Sequence, residues 1–264
     1  MATELPRITI VTPVFNGAKY IAETLASVRA QNYPNLEYIV CDGGSTDGTL
    51  EILQANRDII SQLITGRDKG MYDALMKGFV HATGTIYGWI NADDILMPWC
   101  LKCVAHYLAS FPDSCWLTGI PSIIDEQSRL LWVSSVTPCY RRSWIRRGWY
   151  SAIGLGIIQQ ECTFFTKDLF LEAGGLNPSL KLAGDFDLWR RMAKNADLHQ
   201  TGTVLAAFRM HSTNLSKDQA GYLDEARAVK IPGGKIWGYS YSFLAFLLAR
   251  LRQQPRLVDN LTGK

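Results

Sequence analysis

The chain has 264 residues, 47% hydrophobic, 19% charged and 11% aromatic, enough apolar material for one sizeable core or two small ones, which excludes a mainly disordered protein. Lys and Arg number 27 against 24 Asp and Glu, and the resulting +3 is too mild to argue for a nucleic-acid partner. Cys41, Cys100, Cys103, Cys115, Cys139 and Cys162 are scattered, and residues 1–7 carry no apolar signal segment, so core thiols in a reducing cytoplasm are expected. Cys100 and Cys103 lack a second pair or a His cluster, which argues against zinc.

Strand and helix signals alternate from the start. Ile8–Thr12 is a β-branched run ended by Pro13 and the turn pair Asn16-Gly17, after which Ile21, Leu25 and Val28 recur at helical spacing. Leu36–Cys41 reads as a second strand closed by Asp42-Gly43-Gly44, with Ser45, Thr46 and Asp47 as helix caps before Leu50 and Leu53. Ile59–Thr65 is a third strand; Met71, Leu75 and Phe79 mark the buried stripe of a helix. Thr85–Ile90 is a fourth strand, before Asn91-Ala-Asp-Asp94. Further on, strands are expected at Thr118–Ile124, Leu130–Val136 and Thr163–Phe165, with helices over Lys167–Ala173 and Asp185–Ala196.

Alternating elements imply an α/β fold with a mostly parallel sheet, whose ligands bind beyond the carboxyl ends of the strands. Asp42, Asp68, Asp93 and Asp94 each follow a predicted strand, so they line one edge, where a cation or ligand donors must relieve their repulsion. No Gly-x-x-x-x-Gly-Lys-Ser/Thr is present, and no Gly-x-Gly-x-x-Gly follows the first strand. The loop Thr12–Gly17 is neutral and offers Phe15 to a flat base, and Asp42 can accept an imide N–H; Asp47 is better read as a helix cap. Adjacent Asp93 and Asp94 suit Mg²⁺ or Mn²⁺, hard cations that take one or two carboxylates plus substrate phosphates.

Thr12-Pro-Val-Phe-Asn, Asp42-Gly-Gly-Ser-Thr-Asp-Gly-Thr, Asp68-Lys-Gly-Met-Tyr-Asp-Ala and Asn91-Ala-Asp-Asp, in this order, resemble the family 2 glycosyltransferases. The resemblance continues through Gln159–Phe165, Gly174-Gly-Leu, Leu182–Trp189 and Phe208-Arg-Met-His211, covering roughly residues 5–220. It implies a GT-A fold over 1–230, with a Rossmann-like nucleotide half to about 112 and an acceptor half from about 113. It further implies that Asp42 and Asp68 hold the base, that Thr12, Pro13 and Phe15 line its pocket, and that Asp93 lies near ribose or metal. Asp94 is the implied direct metal ligand, joined by His211, with Arg209 and Glu161 toward diphosphate or acceptor. Asp185 matches the catalytic base, although the Glu that often precedes it is Gly184 here, and Asn91 stands where many relatives have an acid.

The expected reaction is inverting transfer of a sugar, most readily UDP-linked, to the hydroxyl of a saccharide or lipid-linked saccharide in bacterial surface polysaccharide assembly, with Mn²⁺ or Mg²⁺. A sugar nucleotidyltransferase and a non-catalytic nucleotide-sugar-binding module are the alternatives; the former wants a basic triphosphate loop that Thr12–Gly17 lacks. Arg141, Arg142, Arg146 and Arg147 interleave with Tyr140, Trp144, Trp149 and Tyr150, a composition that suits anionic lipid or an ordinary solvated helix equally. After Ile231-Pro-Gly-Gly, the segment 231–264 reads as an amphipathic helical tail, uncharged from Ile236 to Ala249 and then Arg-rich. Peripheral contact with the cytoplasmic face of the inner membrane is the corresponding expectation.

Overall fold

The computed structural model of the protein describes residues 5–135, 138–151 and 156–229. Its elements are β1 (Ile8–Val14), α1 (Ile21–Arg29), β2 (Leu36–Asp42), α2 (Thr49–Ala55), β3 (Gln62–Thr65), α3 (Met71–His81), β4 (Ile86–Trp89) and β5 (Ile95–Leu96). Then come α4 (Cys100–Ser110), β6 (Trp116–Thr118), β7 (Ser122–Ile124), β8 (Leu130–Val133), α5 (Arg142–Arg146), β9 (Thr163–Thr166) and α6 (Lys167–Glu172). The order closes with α7 (Gly184–Met192), β10 (His199–Gln200), β11 (Ala206–Arg209) and α8 (Gln219–Ala228).

Seven strands form the central sheet in the order β10-β6-β9-β4-β1-β2-β3, parallel except where β9 runs against β4 and β6. Strand succession runs outward from β1 through β2 to β3 and then returns to β4 on the other side of β1. That reversal opens a crevice at the carboxyl ends of β1 and β4. Each central strand is buried on both faces, and its side chains alternate between two cores. On one side Val11, Leu75, Phe79, Trp89, Phe165 and Trp189 pack together; on the other Ile10, Leu25, Val28, Leu101 and Val104 do. Trp189 of α7 stacks on Trp89 of β4 with ring centroids 5.5 Å apart, which ties α7 to the strand leading into Asn91–Asp94.

A second sheet, β5-β11-β7-β8, sits over the carboxyl edge of the first. The run expected as one strand over Thr118–Ile124 is divided between the two sheets. Gly119 packs against Leu205, where a Cβ would lie 2.9 Å from its Cγ, and Pro121 has no N–H to continue a ladder. β5, β11 and α8 went unpredicted. The third strand starts at Gln62 rather than Ile59, and the strand from Leu130 ends at Val133, its expected last residue Val136 lying outside the described residues, as does the tail 231–264. Cys41, Cys100 and Cys162 are buried as expected, whereas Cys139 is exposed, a correction to its reading as a core thiol.

Helix α3 lies flush on the sheet because Gly78 faces it: a Cβ there would stand 2.5 Å from Val11 Cγ1 and 3.0 Å from Cys41 Sγ. Gly78→Val is expected to lower the unfolding free energy by about 3 kcal/mol through overpacking, read as an earlier midpoint in urea.

Candidate active site

The loop after β1 and the turn after β2 build one side of the crevice. Asn16 N–H donates to Ser45 Oγ at 2.8 Å, and Asn16 Oδ1 accepts from Thr46 N–H at 2.9 Å, so the two loops clasp each other. Phe15 is 65% exposed and presents a bare ring. The Asp68 carboxylate borders it: a Cβ on Gly43 would meet Asp68 Oδ2 at 2.6 Å and Phe15 Cδ2 at 3.4 Å. Asp42 is buried, and its Oδ2 accepts the N–H groups of both Gly44 and Ser45 at 3.0 and 3.1 Å. It shapes the turn through that oxygen, while Oδ1, the other acceptor expected to meet a base, has only the longer Ser45 N–H contact at 3.4 Å. Thr12 is likewise buried, its hydroxyl accepting from Tyr38 at 3.0 Å, and Pro13 lies within the strand's buried run, so of that trio only Phe15 faces outward. Asp47, expected as a helix cap, precedes the N-cap Gly48 by one residue and accepts from Thr49 N–H and, across the crevice wall, from Ala18 N–H.

At the end of β4 the two neighbouring acids part company. Asp94 is 0% exposed; Oδ1 accepts the Arg209 backbone N–H at 2.8 Å and Oδ2 accepts Asn91 Nδ2–H at 3.2 Å. Burial first, then the charges of Asp93 and Glu161, push its pKa well up. Asp94, expected as the ion's direct ligand, thus has both oxygens engaged by protein donors. Asp93 is the outward one, with 28% of its side chain exposed and Oδ2 2.8 Å from His211 Nε2. Asn214 fixes this pair: its Oδ1 accepts His211 N–H at 2.6 Å and its Nδ2 donates to Arg209 O at 3.0 Å, turning the amide toward both side chains. Thr213 Oγ1 lies 2.9 Å from the other ring nitrogen. A carboxylate oxygen and an oriented imidazole are a donor set that fits a divalent cation, and no third His, Cys, Asp or Glu joins them among the described residues.

Arg209 does not face the cleft. Its guanidinium, 0% exposed, donates to Asp93 O at 2.6 Å, Ser128 Oγ at 2.9 Å, Glu23 Oε2 at 2.9 Å and Asp125 O at 3.3 Å, and it lies 4.9 Å from the Tyr20 ring centroid. Fully buried among protein acceptors, it exposes no face to a diphosphate, which corrects its expected pairing with one.

Opposite stands Asp185, in the first turn of α7. Desolvation pushes its pKa up to about 6, against the lowering effect of the Phe186 N–H at 2.7 Å and the Tyr72 hydroxyl at 3.4 Å. Tyr72 also explains Gly184: a Cβ there would stand 2.7 Å from the tyrosine ring, so the ring fills the place a larger residue needs. Glu225 of α8 accepts the N–H groups of Lys181, Leu182 and Ala183 at 2.8, 2.8 and 2.9 Å and so fixes the approach to α7. Neither Tyr72 nor Glu225 was picked out from sequence; Tyr72 sits inside the Asp68–Ala74 motif, which was the available signal.

Glu161 is buried between these sides. Burial, the Asp185 charge and then the Asp93 charge push its pKa up to about 8, and its Oε1 has no partner. Held neutral, it has one O–H to donate.

The sequence pattern described as Glycosyl transferase family 2 matches residues 9–170. An uncharacterized glycosyltransferase of Rickettsia prowazekii is 27% identical over 222 residues, covering 83% of this chain and 69% of that one. The chondroitin synthase of Escherichia coli is 26% identical over 216 residues, 80% of this chain but 30% of its own length. Among solved structures, S. aureus TarS 1–349 in complex with UDP-GlcNAc superposes with a TM-score of 0.68 at 17% identity, covering 91% of this chain and 71% of that one. The mannosyltransferase PcManGT of Pyrobaculum calidifontis, in complex with GDP-Man and Mn²⁺, gives 0.66 at 20%, covering 95% and 77%. At those identities the superpositions establish a shared GT-A fold and no more.

Replacing Arg209 by Ala strips donors from Glu23, Ser128 and two carbonyls at once. The expected loss in unfolding free energy is about 3 kcal/mol or more, measured by urea unfolding, whereas an arginine reserved for substrate leaves stability unchanged.

Proposed function

Because the chain belongs to glycosyl transferase family 2, we propose that it transfers a sugar from a nucleotide-sugar donor, UDP-linked first among candidates, to an acceptor hydroxyl with inversion. The observation that carries this reading is Glu161, a buried carboxyl within electrostatic reach of both Asp185 and Asp93, the latter held against His211. One side of the cleft suits a nucleotide: Phe15 stacks on the base, Asp68 accepts its N–H, and Asp42 holds the turn between them. Asp93 and His211 are the residues that would hold a divalent cation, Mn²⁺ or Mg²⁺, which when bound would neutralise charge on the departing diphosphate.

Asp185 then acts as general base. The acceptor oxygen attacks the anomeric carbon, its proton passes to Asp185, and the bond from that carbon to the diphosphate oxygen breaks in the same displacement. Burial holds Asp185 basic enough for this task, and Tyr72 and Glu225 fix the turn that carries it. The protonated Glu161 donates to a sugar oxygen nearby, a role on the acceptor side rather than at the diphosphate. The acceptor is a saccharide or lipid-linked saccharide of the bacterial surface.

Asp185→Asn is expected to cut turnover by about 10²–10⁴-fold while leaving donor affinity intact. Measuring Mn²⁺-dependent thermal stabilisation by a panel of nucleotide sugars alongside turnover separates an enzyme from a binding module, which loses nothing in this variant. The pH dependence gives an independent check. Because the base works deprotonated, kcat/KM rises with pH through about 6, where burial holds Asp185, and Tyr72→Phe moves that limb upward, since the hydroxyl helps stabilise the carboxylate. An acid limb that Tyr72→Phe leaves in place removes Asp185 from the role.

A further inference from the structure

Away from the cleft, helices α5 and α7 face each other across a hollow of about 460 Å³. Arg146 and Arg147 line it from the α5 side, and Arg190, Arg191 and Lys194 from the α7 side. A second hollow shares Ser143 and Arg146 and adds Arg141 and Arg142. Seven cations thus crowd one face of a chain whose net charge is only +3, and the acids in the two linings are Asp187 and Asp197.

The cations divide into a scaffold and a free set. Arg190 donates to Arg146 O and Val229 O, Arg142 to Ala193 O, and Arg191 is paired with Asp187 at 2.7 Å. Arg141, Arg146, Arg147 and Lys194 meet no carboxylate among the described residues. Sequence beyond Val229 adds to the excess rather than balancing it, since residues 230–264 hold six Lys and Arg and one Asp. Such a concentration of like charge calls for an anion from outside, and guanidinium forks match phosphate oxygens best.

Three features say which phosphate. Trp144 and Trp149 stand half-buried among the arginines, with Arg141 5.1 Å over the first ring and Arg147 5.7 Å over the second, the amphipathic pairing suited to a headgroup layer. Val229 forms part of the wall, and the uncharged, aromatic run from Ile236 follows shortly after it. Asp187, Arg191 and Lys194 lie on the far side of α7 from Asp185 by helical rotation, so the hollow is separate from the reacting centre. We infer that the α5–α7 hollow seats phosphate headgroups of anionic membrane lipid and docks the protein on a bilayer. This extends the proposed transfer by presenting the cleft to a lipid-borne acceptor.

The test uses the full chain with saturating UDP and Mn²⁺, so that the donor side is filled. Wild type should co-float with vesicles of phosphatidylglycerol and phosphatidylcholine, and Arg146→Glu/Arg147→Glu should weaken this by about tenfold or more, with Lys194→Glu acting in the same direction. Both substituted arginines are exposed, so folding is preserved. Stabilisation by UDP and Mn²⁺ should be equal in all variants. Flotation that survives charge reversal, or is absent from wild type, overturns the proposal. So does a wild type that binds inorganic pyrophosphate through these arginines but ignores vesicles, which makes the hollow a soluble-phosphate site. Absence of UDP–Mn²⁺ stabilisation strikes the sugar-transfer reading alone, because flotation does not depend on it.

Discussion

Repulsion among carboxyl groups is the constraint around which this molecule is arranged. Parallel strands deliver Asp42, Asp68, Asp93 and Asp94 to one edge, and the loop at Glu161 and the start of α7 add two more. Each acid finds a different relief. Asp42 and Asp47 spend their charge on backbone N–H groups, Asp94 is buried with two donors and an elevated pKa, Asp93 faces His211, and Glu161 is held protonated.

Much of this was legible in the sequence, because parallel strands buried on both faces read as β-branched runs and the acids after them are conspicuous. The sheet edge, the loop around Phe15 and the position of Asp185 followed from that pattern and from the resemblance it supported. The division of labour between Asp93 and Asp94 did not. Adjacent residues leave the backbone in different directions, and which one turns inward depends on Arg209, which is 115 positions away and offers its N–H to Asp94. Sequence also mistook Arg209 for a phosphate ligand, since nothing local announces that Glu23, Ser128 and two carbonyls will surround it. β5 and β11 were missed for the same reason: a two-residue strand exists only through its partner, Ile95–Leu96 against Ala206–Ala207.

Gly184 illustrates how a departure from a family's habit can be local in consequence. Where the resemblance implies an acid, this chain has a glycine with an aromatic ring pressed against it, and the adjoining Asp185 keeps both a desolvated setting and a hydroxyl neighbour. The exchange substitutes shape for charge beside Asp185, and it lowers by one the number of negative groups the cleft must accommodate.

The fastening of β11 to the edge of the nucleotide side bears on how the protein is made. Residues 8–96 contain most of the parallel sheet, yet Asp94 lacks its backbone donor and Asp93 its imidazole until residues 209–211 arrive. During vectorial synthesis the first half can therefore collapse while its ionic rim is still unassembled, and completion waits for a contact of high sequence separation. A ribosome-bound fragment short of that point therefore holds Asp93 and Asp94 without the partners that fix them in the folded chain.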